Sequence, residues 1–262
     1  GYTADVPRMR QICQEVKSCL PATITVVGGY HATLCPHDFN SDYIDVIVVG
    51  EGEITFPELV SALEEKRDLS AVDGIIYRRQ GKQVTSRVRK QMPNLDDLPL
   101  PARHLAEHYR PQYHWLYWDE HAPIETSRGC PFRCTFCAVW VFHRGKYRFK
   151  APESVVKEVK AANSPAICFV DDNFLEDVER AERIYQLIKD SGIRAKYWMQ
   201  VRTDTIAKHP RLVEQWAEIG LDIVCIGFET WNDEVLASYN KRVSVSTNEE
   251  AARILRDNGV DI

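Results

Sequence analysis

Gly129-Cys130-Pro131-Phe132-Arg133-Cys134-Thr135-Phe136-Cys137 places three cysteines within eight residues, spaced x3 then x2, directly after the short apolar run Pro123–Thr126. Thiolates are the ligands that iron–sulfur clusters require. Three on one tight loop hold three corners of a [4Fe–4S] cube and leave one iron open to a substrate or cofactor. An electron-carrying ferredoxin needs a fourth cysteine near the loop, and none lies close by in the sequence. Zinc is the alternative, with His121 or His143 as a fourth ligand, although zinc sites favour paired CxxC knuckles.

Around this loop the second half of the chain repeats a strand–helix unit. Strands are expected near Pro123–Thr126, Ala166–Val170, Lys196–Val201 and Asp222–Gly227, with a fifth starting at Val260. Helices are expected at Pro152–Ala162, Leu175–Asp190, Pro210–Ile219 and Asn248–Asp257. Gly192, Gly220 and Gly259 suit the left-handed C-caps of the last three, and Ser246-Thr247-Asn248-Glu249 fits a capping box for the final helix. Repeated βα units without a break favour a barrel or partial barrel over an open sheet. Cys168 and Cys225 fall inside apolar strands and read as core residues.

The first third has a different texture. Val6–Leu20 reads as a helix, Ile24–Val27 as a strand ending on Gly28-Gly29, and Ile44–Val49 as a second strand ending on Gly50-Glu51-Gly52-Glu53. Phe56–Lys66 has helical spacing, and Ile75–Arg78 with Gln83–Ser86 forms a polar hairpin around Gly81-Lys82. Apolar strands followed by glycine turns and helices indicate a parallel, doubly wound sheet, of which these elements supply only a part. Residues 93–120 read as a linker, with Pro99 and Pro101 and the aromatics Tyr109, Tyr113, Trp115, Tyr117 and Trp118 forming a packing patch or a substrate wall.

Composition narrows the function classes. With 33 basic and 38 acidic side chains the formal net charge is -5, which argues against a nucleic-acid protein. No apolar run approaches the roughly 20 residues that span a bilayer. Eight cysteines, five of them scattered and three crowded, suggest metal in a cytoplasmic enzyme rather than a disulfide framework. The opening on Gly1 and the stop inside an apolar run at Ile262 suggest that both folded units are cut.

The loop resembles the CxxxCxΦC signature of the radical S-adenosylmethionine (SAM) enzymes, with Phe136 at the aromatic position. The resemblance implies a partial (βα)6 TIM-type barrel over residues 121–262 in which Cys130, Cys134 and Cys137 bind a [4Fe–4S] cluster. In that family the methionine amino and carboxylate groups of SAM fill the open iron, and electron transfer splits SAM into methionine and a 5′-deoxyadenosyl radical. By position, the resemblance brings Phe136, Asp171, Asp172, Arg202 and Glu229 to SAM. Each carries an alternative: Asp171 or Asp172 as a helix N-cap, Arg202 in a salt bridge with Asp204 or Glu229, Glu229 as a structural carboxylate. Gln200, Arg202 and Asp204 are expected on one face of the third strand.

The two glycine turns, lying ahead of such a barrel, are similar to the Rossmann-like cobalamin-binding domain of the B12-dependent radical SAM class. That implies cobalamin contacts from Gly28, Gly29, Tyr30, His31, Gly50, Glu51, Gly52 and Glu53 in the C-terminal part of the domain, residues 1–92. His31 beside a glycine turn does not establish cobalt coordination. Within the class, Ser127–Pro131, Trp140, Phe142, Tyr147-Arg148, Pro152-Glu153 and Lys241–Ser244 look most like the hopanoid C-3 methylases. The resemblance therefore implies methylation of an unactivated carbon of a lipid-like substrate, with a flavodoxin, ferredoxin or reductase as electron donor and membrane association through the substrate. The alternatives are a cyclase of the anaerobic magnesium-protoporphyrin ester cyclase type and a structural zinc protein.

Overall fold

The protein is described from a computed structural model that covers residues 1–115 and 118–262; Tyr117 of the aromatic stretch lies outside the described residues. The chain divides into two compact units, Gly1–Met92 and Pro93–Ile262.

In the first unit α1 (Val6–Cys19) leads to β1 (Val26–Val27), α2 (Tyr30–Leu34), β2 (Val46–Val48) and α3 (Gly52–Glu64). The hairpin β3 (Ile75–Arg79) and β4 (Lys82–Thr85) follows. The sheet runs β1-β2-β3-β4, with β1 and β2 parallel and β3 antiparallel to β2. Side chains alternate across it. Val46 and Val48 join Leu59 and Ala62 of α3 in one cluster, while Ile47 joins Cys13 of α1 and Ala32 of α2 in another. Helices on both faces explain why β2 is an unbroken apolar run, buried at every residue. Two details differ from the sequence reading. The polar hairpin completes the same sheet, which is therefore mixed, because Ile75, Ile76 and Tyr77 pair with β2. The third helix starts at Gly52 rather than Phe56, so Gly52 and Glu53 form its first turn.

In the second unit β5 (Ala122–Ile124), β6 (Ser127–Arg128), α4 (Val139–Phe142) and β7 (Arg148–Phe149) precede α5 (Pro152–Ala162) and β8 (Ala166–Phe169). Then come α6 (Val178–Asp190), β9 (Lys196–Val201), α7 (Thr203–Lys208), α8 (Pro210–Glu218) and β10 (Leu221–Ile226). The helices α9 (Asp233–Ser238) and α10 (Val245–Asp257) end the series. Strands β5, β8, β9 and β10 are parallel neighbours in chain order, and Asp261 bridges in parallel to Ile223 where a fifth strand begins. Sequential order without a reversal is the winding of a barrel, not of an open doubly wound sheet. Val155 and Val159, Ile184 and Ile188, Leu212 and Trp216, and Ile254 and Leu255 bring α5, α6, α8 and α10 into one core. Trp216 stands edge-on to Phe169, Phe174 and Tyr197 at its centre.

Several local expectations are corrected. Ser244 caps α10 by accepting from the Thr247 amide, so Ser246 lies inside the first turn. Asp177 caps α6 through the Arg180 amide, which leaves both Asp171 and Asp172 free of that task. The third barrel strand ends at Val201, so Asp204 sits in α7 and not on the strand face. Cys225 is exposed, whereas Cys168 is buried. Of the aromatic stretch, Trp115 and Trp118 pack with Trp198 and Ile223, while Tyr109 and Tyr113 are exposed. Among the described residues no helix is long and apolar enough to cross a membrane.

Candidate functional site

The cysteine loop leaves the sheet through the two-stranded ribbon β6–β7, which pairs Ser127 with Phe149 and Arg128 with Arg148. Gly129 adopts φ +89°, and a Cβ there would run into the Lys146 carbonyl, so only glycine lets the ribbon close directly before Cys130. Inside the loop the Cys137 amide donates to the Cys134 carbonyl at 3.1 Å, and Trp140 Nε1 donates to the same oxygen at 3.0 Å. A distant segment straps the loop down. The Thr135 amide donates to the Tyr239 carbonyl, and Asn240 Nδ2 donates to the Arg133 carbonyl at 2.9 Å. Phe136, about half exposed, meets Tyr239 edge-on.

Burial raises the Cys130 thiol to about 11 and the Cys137 thiol upward as well; the Phe132 amide on Cys130 and the Val139 and Trp140 amides on Cys137 oppose the shift. Loading metal here must therefore release protons. Among the described residues the one trio of ligand atoms lying within 4.8 Å of one another is His31, Cys35 and Asp38. The three loop thiols do not converge on a single point as a lone zinc ion requires, but a cube spreads its irons and asks each thiolate for a separate corner. His143 lies against Arg148 and Asp172 rather than offering a fourth ligand. His121 lines a cavity with Arg103, Arg110 and Pro123 at the opposite, N-terminal end of β5. The donor set fits a cluster and does not fit structural zinc.

Four expected SAM residues gather from the ends of successive strands, with unequal freedom. Asp171 is fully buried and accepts from the Thr126 amide at 2.6 Å, the Thr126 hydroxyl and the Ser127 hydroxyl. It ties the end of β8 to the segment that enters the loop. Burial pushes its carboxyl upward against those donors and Arg180. Asp172 keeps part of its carboxylate exposed, accepts from the Gly129 amide at 3.0 Å and is raised by burial to about 6. Arg202 pairs with Asp204 at 2.9 Å, the internal salt bridge of the two alternatives. Glu229, at φ +61°, is bonded by Lys241 Nζ at 2.5 Å.

Other residues at this end were given no site role by the sequence. Buried Arg180 donates to the Lys150 and Thr126 carbonyls. Lys241 is almost fully buried, and Glu176, bonded to Asn173, is held above its ordinary range by burial. Arg180 is one more charged residue on an amphipathic helix, and no local spacing marks it. Lys241 lies 12 residues from Glu229, beyond any strand or helix period.

In the first unit the glycine turns join through a residue that motif reading passed over. Thr33 Oγ1 donates to the Gly29 carbonyl at 2.8 Å and accepts from the Gly50 amide at 2.9 Å, so one hydroxyl ties the ends of β1 and β2. Gly29 and Gly50 adopt φ +101° and +89°. A Cβ added at Gly50 or Gly52 would meet nothing within 4 Å, leaving an open edge that suits close approach of a large planar ligand. A Cβ added at Gly28 would meet Val48, Tyr30 stacks on Tyr2, and Glu51 precedes α3 with an oxygen 3.4 Å from the Met92 amide. Glu53 lies in the first turn of α3 and is exposed. His31 uses both ring nitrogens within the unit, on Thr3 Oγ1 and on Asp38 Oδ2.

Comparison with known proteins agrees with this geometry. The radical SAM superfamily model matches residues 124–262, and the B12 binding domain model matches residues 1–60. The chain is 30% identical over 270 residues to a hopanoid C-3 methylase of Methylococcus capsulatus, covering 100% of this chain and 50% of that protein. It is likewise 30% identical to an anaerobic magnesium-protoporphyrin IX monomethyl ester cyclase of Rubrivivax gelatinosus, covering 99% of this chain and 49% of the other. The chain thus spans about half the length of these curated relatives. Among solved structures, the cobalamin-dependent SAM radical enzyme OxsB with aqua-cobalamin bound matches with TM-score 0.80 at 21% identity, covering 98% of this chain and 38% of OxsB. The methyltransferase TsrM of Kitasatospora setae, with cobalamin and a [4Fe–4S] cluster bound, matches with TM-score 0.78 at 18% identity, covering 98% of this chain and 51% of TsrM.

Proposed function

The chain belongs to the radical SAM superfamily and carries a B12-binding domain ahead of its barrel, and from that premise we propose that it is a cobalamin-dependent radical SAM methyltransferase acting on an unactivated carbon of a hydrophobic, hopanoid-like substrate. The observation that carries the reading is the three-thiol loop at the C-terminal end of sequentially ordered parallel strands, in the same chain as a glycine edge open at Gly50 and Gly52. When bound, the cluster and cobalamin would supply an electron for SAM cleavage and a methyl group for transfer.

Cys130, Cys134 and Cys137 would hold the cluster and leave one iron for SAM. Asp172 is the carboxylate best placed for the SAM ammonium: it is partly exposed, it lies beside the loop, and its raised pKa falls when a cation arrives. Asp171 and Arg202 hold the loop rather than SAM, since their polar atoms are already engaged. Phe136 and Glu229 lie at the same end, Glu229 bridged to Lys241. The glycine turns, with Thr33 between them, would cradle cobalamin by shape. One-electron reduction calls for a flavodoxin- or ferredoxin-type donor, and a polycyclic lipid would bring the enzyme to a membrane surface.

The test is anaerobic reconstitution with iron and sulfide, then incubation with trideuteromethyl-SAM, cobalamin, a low-potential reductant and a hopanoid, read by mass spectrometry. Methylation adds the labelled methyl, and each single Cys→Ala change in the trio removes both the cluster absorbance and the product. The 30% identity to the ester cyclase gives the second reading. A porphyrin ester that is cyclised without label uptake, while the hopanoid is untouched, would establish that reading instead.

A further inference from the structure

Arg202 follows β9 and is buried, its side chain 9% exposed. Its guanidinium is held on every side. Nε donates to Asp204 Oδ1 at 2.9 Å, Nη2 donates to the Lys241 carbonyl at 2.6 Å, and the plane stacks on the Phe132 ring at 3.5 Å from its centroid. The remaining terminal nitrogen, Nη1, points to Cys134 Sγ at 3.8 Å. The loop and its strap thus meet on this side chain: Phe132 and Cys134 come from the loop, and Lys241 from the segment whose neighbours Tyr239 and Asn240 hold Thr135 and Arg133. The other two thiols receive backbone amides, Cys130 from Phe132 and Cys137 from Val139 and Trp140. Cys134 is the thiol that Arg202 meets at hydrogen-bond distance, and the same charge reaches Cys130 through space.

A planar guanidinium fixed by three partners and an aromatic face aims its N–H groups with little freedom, which a lysine ammonium could not match. Donors to ligand sulfur and nearby positive charge stabilise the more negative state of an iron–sulfur centre, because reduction adds charge that spreads onto the sulfurs. We propose that Arg202 is a positioning residue that sets the reduction potential of the cluster through Cys134, and that Asp204 tempers its charge. The inference rests on the cluster reading of the loop. The step it modulates is one electron entering from an external reductant, with no bond made or broken. The fixed cation holds the potential higher than three thiolates in a buried loop would otherwise have.

The experiment is a mediator-equilibrated titration with dithionite, followed by electron paramagnetic resonance, on anaerobically reconstituted protein without SAM. Iron and sulfide content are measured alongside. Arg202→Gln should load its cluster and show a reduced-to-oxidised ratio at least tenfold lower at any fixed potential, about 59 mV for one electron. Asp204→Asn, which leaves the cation less neutralised, should move the ratio upward by threefold or more. Arg202→Lys should recover less than half of the Gln shift, since it keeps the charge but loses the fork. A loaded Arg202→Gln protein whose ratio stays within twofold of the parent overturns the proposal, as does an Asp204→Asn ratio that is unchanged or falls. Should Arg202→Gln fail to load, the Asp204→Asn titration alone decides. Parent protein that assembles no cluster overturns the cluster reading itself, a different and recognisable failure.

Discussion

Both candidate sites lie at the C-terminal ends of parallel strands, yet they are built from different materials. The cysteine loop is held by buried charged and polar side chains reaching across the sequence: Asp171 to Thr126 and Ser127, Arg180 to Thr126, Arg202 to Lys241. The glycine edge is held by backbone shape, with two positive-φ turns tied by a single hydroxyl. A site that must position a multiply charged centre needs fixed dipoles and counter-charges, and these demand burial. A site that must admit a large planar ligand needs missing atoms. The two should respond to mutation in different ways: the loop chiefly through stability and charge, the edge chiefly through ligand binding.

The largest break is expected at Asp171. Its removal leaves a buried amide and two buried hydroxyls without their acceptor, so Asp171→Ala should cost roughly 3–5 kcal/mol, a fall in melting temperature on the order of 6–20 °C in the metal-free protein. Asp171→Asn, which keeps one acceptor, should cost less than half as much. Calorimetry on both variants decides; an alanine variant melting with the parent would show that the network at the end of β8 holds nothing.

Asp172 separates charge from structure at the same place. Its folded pKa of about 6 lies above the ordinary carboxylate value, so ionisation costs stability in the native state. The Asp172 contribution to the parent's stability should therefore be greatest where the carboxyl is protonated in both states, and be lost as pH rises from about 4 through 6. Asp172→Asn escapes that loss and keeps an acceptor for the Gly129 amide. Its stability relative to the parent should climb over that window by up to about 3 kcal/mol and then level off. Its affinity for SAM, if the carboxylate meets the ammonium, should fall by tenfold or more. A flat difference in denaturant midpoint between pH 4 and 8 would remove the buried-carboxylate account.

What could be read in the sequence follows the same division. The loop was legible because cysteine is a chemically specific residue and its spacing is short-range. The barrel was legible because helix and strand periods repeat, so β8 and β9 fall within a residue of their expected bounds. The ribbon β6–β7, the strap at Tyr239–Lys241 and the contacts of Arg202 with Cys134, Phe132 and the Lys241 carbonyl were not, although its pairing with Asp204 was. They join residues twenty or more positions apart, and one Arg, Lys or Asn on a helix or turn carries no local signal. Helix starts slipped for a related reason. Ser244 and Ser246 are both plausible caps by composition, and the choice between them is made by tertiary contacts such as the Asn248 amide on the Phe228 carbonyl. Thr33 carries no signal of its own, since its task joins the turn at Gly29 to one at Gly50, 17 residues beyond it.

The glycine edge offers the smallest stability effects and the sharpest contrast. Gly50→Ala must adopt φ near +89° with no neighbour to strike, so its cost is conformational alone, about 1–2 kcal/mol. Gly52 differs in one respect: it opens α3 with ordinary backbone angles and equally empty surroundings. Alanine there removes unfolded-chain entropy without strain, so Gly52→Ala should leave stability unchanged or raise it by about 0.5–1 kcal/mol. If the open space is where cobalamin lies, the same methyl group intrudes on the ligand, and cobalamin retention on gel filtration should fall by tenfold or more in a protein at least as stable as the parent. No packing role for Gly52 can yield that pair of results, because a packing glycine loses stability when it is filled. Gly52→Ala protein that retains cobalamin like the parent would place the ligand away from this turn and leave the edge as a consequence of chain geometry.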